Sequence, residues 1–256
     1  MIVERMLDLS GKVAVVTGGS RGIGAAIVRG YADAGADVVI ASRKLGNCVA
    51  LAEQIERDAG CKALAVGCHV GRWDDCDRLV DTVYDAFGRC DVFVNNAGMS
   101  PLYPDLVSVT EEYYDKVTGV NLKGPFRLGA LVGTRMAAGE GGSIINVSTI
   151  GSLRPGADEL VYACAKAGLN ALTIGLAGAF GPKVRVNCIL PGAVLTDITD
   201  VWSEEQKEAV ARGSPLGRAG RADDFVGPAL WLASDASAWV TGVLLRVDGG
   251  LYRQMS

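Results

Sequence analysis

The run Thr17-Gly18-Gly19-Ser20-Arg21-Gly22-Ile23-Gly24 constrains this chain more than any other stretch. It follows Lys12-Val13-Ala14-Val15-Val16, whose β-branched apolar residues read as a short buried strand. It precedes Ala25-Ala26-Ile27-Val28-Arg29-Gly30-Tyr31-Ala32, where apolar residues recur at helical spacing. Glycines let a backbone turn tightly and approach a ligand, and a helix N-terminus offers free N–H groups and the positive end of a dipole. The spacing is Gly-x-x-x-Gly-x-Gly rather than the commoner Gly-x-Gly-x-x-Gly of dinucleotide sites. With 34 glycines in 256 residues, a glycine run alone means little. The flanking strand and helix make it a candidate phosphate site instead of a plain tight turn.

The same alternation continues to the end of the chain. Strands are expected at 12–17, 37–42, 62–68, 91–95, 142–148, 184–190 and 243–247, and helices near 23–34, 46–59, 73–87, 110–138, 158–180, 203–211 and 222–234. Seven strands alternating with helices predict an α/β fold: a doubly wound, Rossmann-type parallel sheet with helices on both faces. A hydrophobic share of 49% suffices for its core. No linker or repeat divides residues 1–256, so one domain is expected. A cofactor half would span about 10–150, and a catalytic and substrate half about 140–256.

Composition excludes several partners. Twenty-five basic against 29 acidic residues give a net charge of −4, with no basic block, which argues against nucleic acid. No apolar run is expected to reach bilayer-spanning length, and residues 1–6 lack a signal-peptide core. Seven cysteines without a Cys-x-x-Cys pair read as reduced thiols of a cytoplasmic protein. A single histidine, His69, gives no basis for a metal site.

In such sheets ligands sit beyond the carboxyl ends of the strands, so the residues just after each strand matter most. After the second come Ser42 and Arg43, where an NAD site usually carries an acid for the ribose 2′-hydroxyl. Arg43, with Arg21 as a second cation, favours the 2′-phosphate of NADP(H), NAD(H) remaining possible; the plainer reading is a solvated loop arginine. After the third come Cys68, His69 and Val70; His69 is either structural or a contact to adenine. After the fourth, Asn95-Asn96-Ala97-Gly98 is an ordinary turn or a brace beneath a cofactor. Asn121, two positions after Gly119 inside an expected helix, marks a kink or a site.

Ile144-Ile145-Asn146-Val147-Ser148-Thr149 is an apolar strand ending in two hydroxyls. Tyr162 and Lys166 follow at i and i+4, on one helix face. An ammonium beside a phenol lowers its pKa, as a general acid–base tyrosine near neutral pH requires. A surface amphipathic helix is the alternative, but from Leu160 to Phe180 the only charge is Lys166.

Taken in order, Thr17-Gly-x-x-x-Gly-Ile-Gly24, Asn95-Asn-Ala-Gly98, Asn121, the hydroxyl-bearing strand end, Tyr162-x-x-x-Lys166 and Pro191-Gly192 give the chain its family likeness. It resembles the short-chain dehydrogenase/reductase family over essentially its whole length. The resemblance implies hydride transfer between a nicotinamide and a small-molecule carbonyl or alcohol, with Tyr162 as general acid or base. It implies that Lys166 holds the nicotinamide ribose and lowers the tyrosine pKa, that a serine-type hydroxyl polarises the substrate oxygen, and that Asn121 supports a water linked to the lysine. By the same resemblance Gly18, Ser20, Gly22, Ile23, Gly24, Ala97, Gly98, Pro191, Gly192, Val194 and Thr196 face the cofactor, and residues 194–215 form a mobile substrate lid.

Two positions depart from the family pattern. His69 stands where an aspartate often contacts the adenine amino group. The catalytic hydroxyl is Thr149 by counting three on from Asn146 or thirteen back from Tyr162, whereas Ser148 is the serine present. Strand neighbours point to opposite faces, so only one of them faces Tyr162. Met99, Pro101, Leu153, Arg154, Val161, Leu195, Ile198 and Trp202 are candidates to line a largely apolar pocket with one anion contact. The resemblance extends equally to 3-oxoacyl thioester reductases and to sugar or steroid dehydrogenases, and an NAD-dependent sugar or alcohol dehydrogenase is the alternative enzyme. A catalytically silent dinucleotide-binding sensor or scaffold is the alternative of another class. The helix from Leu160 to Phe180, apolar almost all round, predicts burial against a second subunit as well as the sheet, and the resemblance extends this to a dimer of dimers.

Overall fold

The computed structural model describes residues 6–195 and 203–252. Seven parallel strands form one sheet: β1 (Val13–Thr17), β2 (Asp37–Ser42), β3 (Ala63–Gly67), β4 (Val92–Asn95), β5 (Gly142–Val147), β6 (Val184–Pro191) and β9 (Leu244–Val247), in the order β3-β2-β1-β4-β5-β6-β9. Val194–Leu195 (β7) and Gly220–Arg221 (β8) pair separately, a short ladder the sequence does not suggest. The order reverses between β1 and β4, so the crevice beyond their carboxyl ends is the expected ligand position.

Both sheet faces are covered, which is why the strands read as continuous apolar runs. Alternate residues of β1 separate cleanly between the two sides. Ala14 and Val16 pack with Ile27, Val28 and Tyr31 of α1 (Gly22–Asp33), with α2 (Leu45–Ala59), and with Leu232 of α8 (Val226–Ala233). Val13 and Val15 pack with Leu79 and Val83 of α3 (Trp73–Phe87) and Leu128 and Val132 of α5 (Gly124–Ala138). Phe93, Ile144 and Ile145 are fully buried at the centre.

The helix expected over 110–138 is in fact two, α4 (Glu111–Thr118) and α5, joined by a π-helical turn at Gly119–Lys123. Thr110 starts α4 by accepting the Tyr113 N–H. The kink that Asn121 signals is therefore this π turn. The helix expected at 222–234 opens with a 3-10 turn, Ala222–Phe225, before α8. Ser203 and Gln206 form a reciprocal cap at the start of α7 (Glu204–Gly213).

Residues 157–180 correct the expectation about membrane-spanning length, because they are long and apolar enough to cross a bilayer. They include α6 (Leu160–Phe180), a core helix whose inner face carries buried Lys166, Asn170 and Thr173 toward the sheet. Thr196, Ile198 and Trp202, and with them the middle of the expected lid, lie outside the described residues.

Candidate active site

All seven strands of the main sheet run the same way, so their carboxyl ends share one edge. The glycine turn occupies its centre. Gly18 has φ +64°, and a Cβ there would come within 2.9 Å of Ala97 Cα and of the Asn96 amide. At Gly24 a Cβ would sit 2.3 Å from the Gly18 carbonyl. Only glycine fits either position. The first turn of α1 carries no acid, and no side chain caps it, so its N–H groups and dipole face the crevice. This cradle suits the pyrophosphate of a dinucleotide.

The turn is braced from β4. Asn96 Nδ2 donates to the carbonyls of Thr17 (2.9 Å) and Gly18 (3.1 Å), while Thr17 Oγ1 accepts from the N–H groups of Asn96 and Ala97. Of the two amides in the expected brace, Asn96 is the one that holds the turn. Asn95 is buried and donates to Asn146 Oδ1 (3.0 Å), and Asn146 donates to Thr173 Oγ1 (2.9 Å). Both Asn95 and Asn96 lie at a strand end, and only the tertiary contacts separate their roles.

Ser20 Oγ donates to Ser42 Oγ at 2.9 Å and ties the turn to the end of β2. Arg21 and Arg43 are exposed nearby, and neither is paired with a carboxylate among the described residues. His69 is half-buried; its ring Nδ1 accepts from the Gly71 N–H (3.2 Å), and its own N–H donates to Asp75 (2.9 Å). Val70 is buried beneath it, with α5 packed close because residue 124 is glycine. Ile23 is half-buried in α1, and Val194 is buried in the β7–β8 ladder. Pro191 ends β6, and the Gly192 N–H is held by the Val247 carbonyl.

Tyr162 and Lys166 lie one turn apart on α6. Lys166 is 2% exposed, and its Nζ donates to the Val147 carbonyl at 2.7 Å. The ammonium lies 5.8 Å from the Tyr162 ring centroid. Burial draws the Lys166 pKa down to about 8. Burial also pushes the Tyr162 phenol up, with Glu159 adding to the rise and the Thr149 hydroxyl opposing it by a hydrogen bond. Desolvation is the largest of these influences on the phenol, while one donor of the Lys166 ammonium is taken by Val147.

The two hydroxyls after β5 separate as strand alternation requires. Ser148 is 3% exposed and donates to the Lys166 carbonyl (3.2 Å), behind the helix. Thr149 is half-buried, accepts from the Gly151 N–H (3.1 Å) and faces Tyr162. Asn121 is fully buried: Nδ2 donates to the carbonyls of Met99 (2.8 Å) and Val117 (2.9 Å), and Oδ1 accepts the Met99 N–H (3.2 Å). It anchors the loop after β4 to the π turn. A Cβ on Gly98 would meet Asn121 Oδ1 at 3.1 Å and Lys166 Nζ at 3.6 Å, so this glycine holds open the space between them.

Of the expected lining residues, Met99 and Pro101 are half-buried, Leu153, Arg154 and Leu195 are exposed, and Val161 is buried. A second charged group acts on Tyr162: Glu159, a carboxylate one residue before the Leu160–Phe180 span. Its position three residues before Tyr162, the spacing of one helical face, is the signal that could have found it. Tyr103 is also missed; its hydroxyl donates to the Ala157 carbonyl (2.7 Å) and accepts the Leu160 N–H (2.8 Å). A groove of about 730 Å³ starts at Ser20, Arg21 and Gly22 and follows α1 to Asp33. Neither Tyr162 nor Lys166 lines it.

The family model described as enoyl-(acyl carrier protein) reductase matches residues 18–252. An L-rhamnose 1-dehydrogenase (NAD(P)(+)) from Azotobacter vinelandii is 41% identical over 94% of this chain and 96% of its own. A putative short-chain alcohol dehydrogenase from Sinorhizobium meliloti superimposes with a TM-score of 0.92 at 33% identity, covering 96% of this chain and 98% of that one. The NADPH-dependent 3-quinuclidinone reductase of Rhodotorula rubra does so at 0.91 and 30%, over 97% and 94%. The chain belongs to the short-chain dehydrogenase/reductase family and is an oxidoreductase.

Proposed function

We propose that the protein interconverts a carbonyl and a secondary alcohol with NADP(H), using Tyr162 as the general acid or base. The observation that carries this reading is the convergence of Thr149 and Tyr162 hydroxyls and buried Lys166 at one strand edge, beside the glycine cradle. The nicotinamide, when bound, supplies or accepts the hydride. Tyr162 gives its proton to the forming alkoxide, or takes one from the alcohol. Thr149 donates to the same oxygen as charge develops on it. Lys166 holds the nicotinamide ribose and offsets the burial of the phenolate. Asn121 fixes the loop after β4 and sustains a water joined to Lys166. With Nδ1 already accepting, His69 presents Nε2–H, a donor suited to an adenine ring nitrogen and not to the amino group. Arg43 and Arg21 supply the cations for the 2′-phosphate, and the 3-quinuclidinone reductase named as NADPH-dependent is in keeping with that preference.

Oxidation of a sugar is the second reading, favoured by the relative named for L-rhamnose. Seven free thiols support a reducing compartment such as the cytosol. The outer face of α6, where Cys164, Ala167, Ala171, Ile174 and Gly178 are exposed, supports pairing of subunits through this helix and α5.

The test is kinetic. Thr149→Ala should lower kcat by on the order of 10²–10³ while NADPH still binds, the usual loss of an oxyanion-type donor. Ser148→Ala should change kcat little. Reversed severities would move the polarising role to Ser148, and no turnover of any carbonyl or alcohol with either cofactor would leave the silent-binding alternative.

A further inference from the structure

Glu159 is a charged group of the catalytic edge that the reaction above does not use. Its Oε1 lies against Gly151: a Cβ built on that glycine would meet the carboxylate at 2.4 Å and the Thr149 hydroxyl oxygen at 3.5 Å. The carboxylate and the polarising hydroxyl therefore border the same point, and Gly151 leaves room for both. Glu159 is half-buried, and no lysine, arginine or histidine pairs with it among the described residues. The carboxylate accepts the Gly156 N–H, and with no cation beside it keeps acceptor capacity for a further donor. Its position is held from outside by Tyr103, whose hydroxyl spans the Ala157 carbonyl and the Leu160 N–H on either side of it.

We propose that Glu159 selects the substrate, its carboxylate accepting a hydrogen bond from a hydroxyl on the carbon next to the reacting one, so that the enzyme prefers neutral, vicinally hydroxylated substrates. The proposal rests on the reading of Thr149 and Tyr162 as the groups that bind the reacting oxygen. An acceptor beside both cannot bind that oxygen as an alkoxide, which it would repel. It is placed for a neighbouring hydroxyl. A site built to hydrogen-bond a substrate hydroxyl discriminates against an analogue that lacks it, because the half-buried acceptor then loses a donor. The apolar pocket expected from sequence would show no such discrimination.

The test compares an aldose, its 2-deoxy analogue and cyclohexanol with the unmodified enzyme, Glu159→Gln and Glu159→Leu. The unmodified enzyme should favour the aldose over the 2-deoxy sugar by about ten- to a hundredfold in kcat/KM, the worth of a hydrogen bond to a charged group. Glu159→Leu should bring that ratio to about one, each variant being compared on the plateau of its own pH profile, while the near-isosteric Glu159→Gln keeps part of the preference. Glu159→Gln should also move the tyrosine limb of the kcat/KM pH profile to lower pH, since it removes a negative charge that raises the phenol. A purely structural residue would not do this. Equal loss on all three substrates, or an unchanged aldose ratio in Glu159→Leu, overturns the proposal. If no substrate turns over, the reading of the site fails; calorimetry of aldose binding to the protein with NADPH then decides for Glu159, with Leu expected to weaken it ten- to a hundredfold and an equal affinity overturning it.

Discussion

Lys166 shows at the scale of one residue how function is held against stability. Its ammonium is inside the protein with a single carbonyl partner, and burial draws its pKa from 10.5 to about 8. The unfolded chain therefore binds more protons than the folded one between those values, and stability must rise with pH across that window. Below pH 8 both states are charged and the folded state carries the whole desolvation cost, about 3 kcal/mol for such a shift. Urea unfolding of the unmodified protein and of Lys166→Met at pH 7 and at pH 10.5 should show the difference between them move by that amount in favour of the unmodified protein at high pH. A constant difference would mean that the ammonium is not desolvated. Arg43 makes a separate prediction. Exposed and paired with no carboxylate among the described residues, it should give NADPH a ten- to hundredfold advantage over NADH in kcat/KM, as a charge-assisted hydrogen bond would. Arg43→Asp should erase or invert it; equal efficiency with NADH before mutation would refute the assignment.

Elements differ in how plainly the chain announces them. β1 and α1 were legible because a valine run, a glycine turn and a helical period adjoin one another. The interruption of the helix over 110–138 was legible as a misplaced Asn121, since asparagine and glycine are poor helix formers. Its form as a π turn was not, because the third element that stabilises it, the loop at Met99, comes from 22 residues earlier. The β7–β8 ladder escaped notice for a related reason: two-residue strands carry no period to detect. Thr149 and Ser148 could be ranked by counting and alternation, yet the partner that occupies Ser148 is a backbone carbonyl of α6, which no spacing reveals.

Across the whole molecule, an apolar helix with only one side on the sheet has a consequence for assembly. Ile174 is 56% exposed on α6, and Phe126 is 47% exposed on α5. Such a face is better covered by a second copy, and two-fold pairing is the commonest way to do so. Light scattering at micromolar concentration should give a dimer or tetramer, and Ile174→Glu should shift it toward smaller species; a monomer before mutation would sink the inference. What the sequence by itself determined was whatever depends on neighbours in the chain: the strand–helix alternation and hence the parallel sheet, the glycine turn, and the Tyr162–Lys166 pair, all set by local period and spacing. The tertiary structure alone decided which of two adjacent residues faces the crevice, Asn96 rather than Asn95 for the brace, and brought Glu159 against Gly151 and Thr149. It also buries the Tyr162 phenol enough to push its pKa up, because desolvation is summed over every atom packed around a group, and those atoms come from distant parts of the chain.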